Sequence, residues 1–224
     1  MVRYSTLARA ASAVARTARR GGRRKGCCSI AKKALRVANS LKKMKLKKYL
    51  DSNEIDNTIV ANTAEMRLLN GMTNGTSANQ HEQDLVKLVS VSCKGCWYGG
   101  AVNEPMVARL MIVYDRSSDG VAPGITDILQ TQSVYSLYNV QQERGRFQFL
   151  YDRTWNLLPT TATMTAQKPF KLYRKINRKA SYQMANAGTI IDLKFGSLWY
   201  VYITTGNSGS AALSTVWRLQ FVDD

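Results

Sequence analysis

The chain has 224 residues, of which 45% are hydrophobic, and it carries a formal net charge of +17 at pH 7. This length and apolar content suit one medium domain with a sizeable buried core. No stretch approaches the roughly 18 to 20 consecutive apolar residues of a membrane-spanning helix, so we expect no membrane partner.

The positive charge is concentrated in the first part of the chain. Residues 1–50 hold 16 of the 32 Lys and Arg residues and no Asp or Glu, whereas residues 51–224 hold 16 cations and 15 anions. A run of like charge this long repels itself in isolation, so it either binds a polyanion or stays loose. The sequence therefore predicts a basic N-terminal arm at 1–50 and a nearly neutral domain at 51–224.

Two pieces of the arm differ in composition. Residues 1–27 are rich in Arg, Gly, Ala and Ser, which is typical of a flexible polycation. Residues 28–50 predict a basic amphipathic helix, because apolar residues recur at spacings of three and four. This apolar stripe consists of Ile30, Ala34, Val37, Leu41 and Met44. The helix would lie on nucleic acid, on a protein partner or on the core of the body, and a membrane is the weaker alternative because the stripe lacks Trp and Phe.

Nucleic acid is the polyanion that the arm fits best. Each Lys or Arg that neutralises a phosphate releases condensed counterions, and this gain does not depend on base sequence. No ordered set of side chains for reading base edges is evident, so we expect nearly nonspecific binding. The predicted nucleic-acid-binding residues are Arg3, Arg9, Arg16, Arg19, Arg20, Arg23, Arg24, Lys25, Lys32, Lys33, Arg36, Lys42, Lys43, Lys45, Lys47 and Lys48.

After the arm, short apolar runs alternate with turn clusters, which is the pattern of strands. One short helix is predicted at 124–130, with Thr126 as N-cap and Asp127 in its first turn. Strands with such connections indicate two packed antiparallel sheets, in a jelly roll or an immunoglobulin-like sandwich. The eight predicted strands are 58–71, 84–99, 105–115, 146–157, 168–177, 188–193, 197–206 and 214–223.

Residues that usually carry catalysis or bind metals are sparse. Cys93 and Cys96 have C-x-x-C spacing, but on a regular strand they would point to opposite faces, which favours reduced, half-buried thiols. His81 is the only histidine, and a solvated turn explains its stretch "HEQD" with Glu82 and Asp84. We therefore predict no catalytic residue, no metal site, no cofactor and no enzymatic activity.

A four-residue motif occurs twice in the body, as "VYDR" at 113–116 and "LYDR" at 150–153. Two copies do not indicate a repeat architecture. Asp115 and Asp152 would each pair with a neighbouring Arg or cap a loop, and simple polarity at the end of a strand explains both residues equally well.

Residues 105–159 contain an ordered series of local motifs. A strand ends at an Asp with a basic neighbour, and then follow a turn with Gly and Pro, a short helix, a loop with Asn, and the run "RFQFLYDRT". The residues concerned are Asp115, Arg116, Gly120, Pro123, "ITDILQ" at 125–130, Asn139, Arg146, Phe147, Leu150, Asp152 and Arg153. This series resembles the capsid proteins of small circular single-stranded DNA viruses, in particular those similar to the satellite tobacco necrosis virus coat. One departure is that "QHEQDLVKLVSV" lacks the Gly that usually precedes the third-strand region.

The resemblance implies an all-β fold, a single eight-stranded antiparallel jelly roll that forms an icosahedral shell, with the basic arm facing the interior. The partners would be copies of the same chain, roughly sixty or a multiple of that number, and a single-stranded DNA or RNA genome. The arms of roughly sixty copies would carry on the order of a thousand positive charges, which matches a genome of about a thousand nucleotides. Helical arms in such proteins can meet around a threefold axis, which would give the apolar stripe a partner.

The expected location is the virion, and the host nucleus during assembly. The run "RRGGRRK" at 19–25 has the composition of a nuclear localisation signal, so a nuclear import factor joins a host receptor among the further partners. Residues 1–20 also resemble a mitochondrial presequence, which we rank second. The alternative function is a cellular nucleic-acid-binding protein of ribosomal or chromatin type with a basic tail, which would stay monomeric.

Overall fold

The structure is a computed structural model that describes residues 32–34, 36, 47–60, 62–99, 105–139, 145–158, 166–183, 187–205 and 211–223, without the side chains of 55–58. The chain divides into two compact units, Met1–Lys45 and Leu46–Asp224. In the first unit, residues 32–34 and 36 are α-helical and exposed. They fall inside the predicted helix at 28–50, whose other positions up to residue 46 lie outside the described residues.

The second unit, called the body below, is built from strands. The prediction of eight strands was wrong in number, since the described residues form nine, of which one has only three residues. A single 3-10 turn, Ile190–Asp192, precedes that short strand. The strands are β1 (Lys48–Ile59), β2 (Glu65–Leu68), β3 (Leu85–Tyr98), β4 (Met106–Asp115), β5 (Phe147–Leu157), β6 (Gln167–Tyr182), β7 (Leu193–Phe195), β8 (Ser197–Thr204) and β9 (Ala211–Asp223).

The start of the body differs from the prediction. Strand β1 begins at Lys48, so the predicted helix does not extend to residue 50, and the predicted strand at 58–71 is in fact the end of β1 followed by β2. β1 lies at the edge of its sheet and pairs only with β9. Its sequence "KYLDSNEIDNTI" is mostly polar because one edge and one face of an edge strand are open to solvent.

The strand order identifies the architecture as a jelly roll. One sheet has the order β1-β9-β3-β6-β7 and the other has the order β2-β8-β4-β5. The first strand pairs with the last, and the pairs β2 with β8, β3 with β6, and β4 with β5 follow inward, all antiparallel. Such a nested ribbon, rolled so that β9 also meets β3 and β8 also meets β4, is a jelly roll and not an immunoglobulin-like sandwich.

The main core lies between the two sheets. Its largest fully buried side chains include Trp97 and Trp217 from the first sheet and Tyr200 and Tyr202 from the second. A smaller cluster lies on the outer face of the second sheet, where Met111, Val113 and Val201 are fully buried beneath the segment that links β4 to β5. Because both of its faces are covered, all eight residues of β8 are buried.

A short helix, α1 (Ile125–Ile128), belongs to that covering segment. Its N-cap is Gly124 and not the predicted Thr126. Asp127 lies in the first turn as predicted, and its carboxylate accepts a hydrogen bond of 2.7 Å from the Gly124 amide. Ile128 and the following Leu129 are buried against the second sheet. The helix therefore holds the β4–β5 connection on the body.

Candidate nucleic-acid interface

Four of the five described cations in the predicted arm at 1–50 are exposed. Lys32, Lys33, Arg36 and Lys47 have exposed side chains, as binding to a polyanion requires. The other predicted binding residues before Lys47 lie outside the described residues; these are Arg3, Arg9, Arg16, Arg19, Arg20, Arg23, Arg24, Lys25, Lys42, Lys43 and Lys45.

Lys48 does not fit the prediction. It is the first residue of β1 and is 6% exposed. Its ammonium group lies 2.7 Å from Glu82 and 3.0 Å from Asp223, and it also donates to the Gln80 carbonyl oxygen. Burial alone would lower the pKa of Lys48, but the two carboxylates outweigh burial and raise it. Lys48 is thus a structural residue of the body, because its charge is already neutralised there.

The body also carries a concentration of cations that its near-neutral total charge conceals. Strand β6, "QKPFKLYRKINRKASY", contains six cations and no acid. Leu172 and Ile176 on this strand are buried, whereas Lys171, Tyr173 and Lys175 are exposed. The last three therefore lie on the outer face of the first sheet, because side chains alternate along a strand.

Like charges lie directly opposite each other on this outer face. Lys94 of β3 is the cross-strand partner of Lys171, and Lys87 of β3 is the partner of Lys179. None of Lys87, Lys94 and Lys171 takes part in the ion pairs formed by the described residues. We call the set Lys87, Lys94, Lys171, Lys175 and Lys179, with the exposed Tyr173 among them, the cationic face.

The cationic face continues into a shallow depression of about 390 Å³ towards β9 and β1. Lys94, Lys171 and Arg218 are among its lining residues. Arg218 donates two hydrogen bonds of 2.7 and 2.6 Å to Asp51. These hydrogen bonds lower the pKa of the Asp51 carboxyl. Asp51 is the carboxylate among the lining residues of this depression, and Arg218 already pairs with it.

Both aspartates of the repeated motif form ion pairs, but with arginines distant in sequence. Asp152 accepts hydrogen bonds of 2.9 and 2.6 Å from Arg109, which is 7% exposed. Asp115 is fully buried and accepts 2.9 and 3.0 Å hydrogen bonds from Arg146. The sequence left a neighbouring Arg, a loop cap and simple polarity at the strand end as alternatives. The ion pairs instead join β4 to β5 and β4 to the residue before β5, and Asp115 also caps the following turn by accepting a 2.9 Å hydrogen bond from the Ser117 amide. These residues are structural.

Arg109 also anchors the loop that follows α1. Its guanidinium group donates to the carbonyl oxygens of Val134 (3.0 Å) and Ser136 (2.7 Å). Tyr138 completes the network by donating a 2.5 Å hydrogen bond to Asp152. Desolvation and this hydrogen bond raise the pKa of Tyr138 to about 12. The loop between α1 and β5 is therefore held by a buried cation as well as by apolar packing.

Within the part of the chain that the structure describes, the candidate chemical groups do not gather at one place. Cys93 is buried and Cys96 is half-buried on opposite faces of β3, as predicted, and burial raises the pKa of the Cys93 thiol. Among the described residues no group of three or more His, Cys, Asp or Glu side chains is arranged to hold a metal ion. None of the described helices is long and apolar enough to cross a membrane.

His81 corrects one prediction. It is fully buried and not part of a solvated turn. Its ring stacks on Tyr182 with 4.3 Å between ring centroids, and Nδ1 lies 3.0 Å from the Gln83 carbonyl oxygen. The backbone explains this position, because the His81 amide donates to Thr73 and the His81 carbonyl accepts from Gly75, which folds the segment inward. His81 acts as a core residue.

No family model matches the chain, and no curated protein matches it. Solved structures with some similarity include dimeric latent PorU from Porphyromonas gingivalis, with 8% identity and a TM-score of 0.37 over 79% of this chain but only 13% of that one. They also include the empty head of Turnip Yellow Mosaic Virus, with 7% identity and a TM-score of 0.35 over 80% of this chain and 82% of that one. Cocksfoot mottle virus matches with 8% identity and a TM-score of 0.32 over 80% and 93%. Similarity this low establishes neither family nor function, so the fold assignment rests on the strand order.

Proposed function

We propose that this protein is a viral capsid protein that assembles with copies of itself into a closed icosahedral shell and packages a single-stranded nucleic acid through its basic arm. The observation that carries this proposal is the separation of charge between the two units. An acid-free run with 15 cations precedes Lys48, and the rest of the chain is a nearly neutral jelly roll. Jelly rolls are a common architecture of capsid proteins.

The arm supports packaging because its charge has no counterpart within the arm. The exposed Lys32, Lys33, Arg36 and Lys47 are in the state that phosphate binding needs. The predicted binding residues that lie outside the described part of the chain belong to the same proposal. Binding of this kind is insensitive to base sequence and weakens as salt rises. It would retain a genome of any sequence, which is what packaging requires.

The body supports self-assembly through exposed apolar side chains on an anchored loop. Tyr135 and Leu137 are each 71% exposed. Tyr135 lies between the two residues whose carbonyl groups Arg109 binds, and Leu137 follows the second of them. Because the backbone of this loop is already fixed, it loses little conformational entropy when a second copy covers its apolar side chains. We therefore assign Tyr135 and Leu137 to a contact between copies of this chain.

The proposal extends to location. The chain would reside in the virion, and the "RRGGRRK" run at 19–25 would direct it to the host nucleus for assembly. A reporter protein fused to residues 1–30 should accumulate in the nucleus. A reporter that stays in the cytoplasm would remove nuclear targeting from the proposal and leave packaging unaffected.

The packaging step is tested by neutralising the arm in the full-length chain. Replacing Arg19, Arg20, Arg23, Arg24 and Lys25 together by Gln should sharply lower the nucleic acid that copurifies with the expressed protein. Replacing Arg116 and Arg153, two exposed cations of the body, by Gln is the control for loss of charge outside the arm and should not change that content. Equal nucleic acid content in the arm-neutralised and unaltered proteins would contradict packaging through the arm.

A further inference from the structure

We propose that the cationic face of the body is a second nucleic-acid-binding site, which takes the phosphate backbone of a single strand and stacks a base on Tyr173. This inference rests on the proposed function, because it names a further site for the same cargo. It assigns binding to the folded body, where the net charge of +1 for residues 51–224 gives no indication of it.

The length of the face suits an extended strand. Lys171, Lys175 and Lys179 recur every four residues along β6. Eight regular residues at about 3.3 Å each span about 26 Å, and the β-bulge between Lys175 and Arg178 shortens the row somewhat. Lys87 and Lys94 form a parallel row on the neighbouring strand β3, opposite Lys179 and Lys171, and the same bulge between Leu88 and Ser90 lets both lie on this face although they are seven residues apart. Two adjacent rows of ammonium groups form a positively charged track that can follow a phosphate backbone.

The electrostatics of the face favour an anionic ligand. Like charges directly opposite each other destabilise an antiparallel pair, and on this face Lys94 lies directly opposite Lys171. No described carboxylate pairs with Lys94 or Lys171, although the Asp51 carboxylate lies at the far side of the same depression, bound to Arg218. A bound phosphate between the two rows would convert a repulsion into two attractions.

Tyr173 distinguishes this face from a merely charged one. It is 62% exposed and lies on β6 between Lys171 and Lys175. Its cross-strand partner is Ser92, a small residue that leaves the ring uncovered. A Tyr ring between cations is the arrangement by which single-stranded nucleic acids are bound without sequence preference, since any base can stack on it.

Protection of an open sheet edge is the competing explanation for the lysines. Among the described strands β7 pairs with Ser181 and Tyr182 of β6, and no other described strand pairs with that edge of β6. Lysines on edge strands discourage aggregation. That role does not require an exposed aromatic ring or matching lysines on β3, which is an interior strand of the sheet. The two explanations also differ in what happens when the lysines are removed.

The test measures binding of a fluorescent oligothymidine to full-length protein freed of nucleic acid, over a range of salt concentrations. The face variant carries Lys171→Ser and Lys175→Ser, and the control variant carries Arg116→Ser and Arg153→Ser, with the same loss of charge. For the face variant we expect the slope of log affinity against log salt to fall by about 1.4, since each phosphate contact on a single strand contributes about 0.7. The control variant should keep the original slope.

A second measurement tests stacking. Tyr173→Ala should weaken oligothymidine binding about fivefold or more, the effect of losing one stacked base. It should leave binding of inorganic polyphosphate, which has no bases, unchanged. Melting temperatures of both variants should stay close to that of the unaltered protein, because Tyr173 is 62% exposed and the repulsion between Lys94 and Lys171 is removed in the face variant.

The outcomes separate this inference from the proposed function. A protein in which all 15 arm cations before Lys48 are replaced by Gln should retain a weaker, salt-dependent affinity that weakens further when the face substitutions are added. If the face variant matches the control variant while this fully neutralised arm variant loses all binding, the second site is refuted and packaging by the arm stands. If the face variant changes the oligomeric state but not the salt slope, the occupant is another copy of the chain, and the inference is likewise overturned.

Discussion

Two arginine–aspartate pairs of this protein have similar geometry in different surroundings. Arg109 and Asp152 form a bidentate pair in which the arginine side chain is 8% exposed. Arg218 and Asp51 form another, with side chains that are 60% and 49% exposed. Solvent screens the second pair, and its two long side chains lose entropy when they are held together. The first pair is desolvated and also holds a loop, so it should matter far more for stability.

Replacement of Arg109 by Leu tests this difference. We expect it to lower the free energy of unfolding by about 2–4 kcal/mol, because Asp152 loses its partner and the Val134 and Ser136 carbonyl groups lose their donor. Arg218→Leu is the matched control and should leave the free energy of unfolding nearly unchanged. Urea denaturation of both variants measures the difference, and equal losses would show that burial does not distinguish the pairs.

Turns between strands impose a second kind of constraint, and Gly196 is the clearest case. It has φ +83° between β7 and β8, and a Cβ atom there would lie 2.3 Å from the Lys179 carbonyl oxygen. Gly196→Ala should therefore cost about 3 kcal/mol or more, from backbone strain together with overpacking. Gly145 has φ +79° with no atom within 4 Å of such a Cβ, so Gly145→Ala should cost only about 1–2 kcal/mol. Urea denaturation of the two variants measures the difference. Equal losses of the free energy of unfolding would contradict the clash at Gly196.

The loop after α1 carries the prediction about assembly. Replacing Tyr135 and Leu137 by Ser should reduce particle yield at least several-fold without destabilising the subunit, because both side chains are exposed in the isolated body. Val121→Ser with Ile191→Ser, which removes two other exposed apolar side chains, is the comparison. Particle yield by density-gradient sedimentation is the measurement. If only the comparison variant loses particles, the contact between copies lies elsewhere on the body.

The apolar stripe of the arm has its own test. Val37→Ser with Leu41→Ser should lower particle yield or alter particle shape, if helices from several copies pack through the stripe. The conservative variant Val37→Leu with Leu41→Met keeps the side chains apolar and should assemble normally. Negative-stain microscopy compares the two variants, and particles of unchanged yield and shape in the Ser variant would refute the contact.

Local pattern predicted most elements of the body but not their partners. β3, β4, β8 and β9 were predictable because a strand with one or both faces covered has apolar residues in recognisable alternation or in runs. β1 was not, because its edge and outer face are solvated and its sequence is polar. The partners of Asp115 and Asp152 lie 31 and 43 residues away, a relation that only the tertiary fold creates. For the same reason Lys48 was placed in the arm, and the burial of His81 was missed.

The sequence predicted the binding residues of the arm but not those of the cationic face. The basic arm is evident from a count of charges, because residues 1–50 contain no Asp or Glu that could neutralise their cations. The cationic face was not evident, because in the net charge of the whole body the six cations of β6 are offset by acidic residues on other elements. The signal was present in "KPFKLYRKINRK", where lysines and an exposed Tyr alternate with buried Leu and Ile at the period of a strand.

The protein as a whole should be labile in alkali. Burial raises the pKa of Tyr114, Tyr182, Tyr200 and Tyr202, and raises that of Tyr138 to about 12. In the unfolded chain these groups ionise near about pH 10. A raised pKa in the folded state stabilises the protein fully below that pH, and the stabilisation is lost as the pH rises further, by about 1.4 kcal/mol per pH unit for each such tyrosine.

Denaturant unfolding between about pH 8 and pH 11, with tyrosinate absorbance followed in parallel, checks this prediction. The free energy of unfolding should be flat at the lower end and fall steeply above about pH 10. Lys48 adds to the loss, because its pKa is also raised in the folded state. A free energy that stays constant up to about pH 11 would mean that these tyrosines are not buried as described.

The most direct test of the central claim is negative-stain microscopy and sedimentation of the full-length protein expressed alone, at low and at high salt. We predict uniform closed particles that contain host nucleic acid and that shed it, or come apart, as salt rises. A chain that remains monomeric at every salt concentration, however well it binds nucleic acid, would contradict the capsid function. That result would favour a cellular nucleic-acid-binding protein with a jelly-roll body and a basic tail.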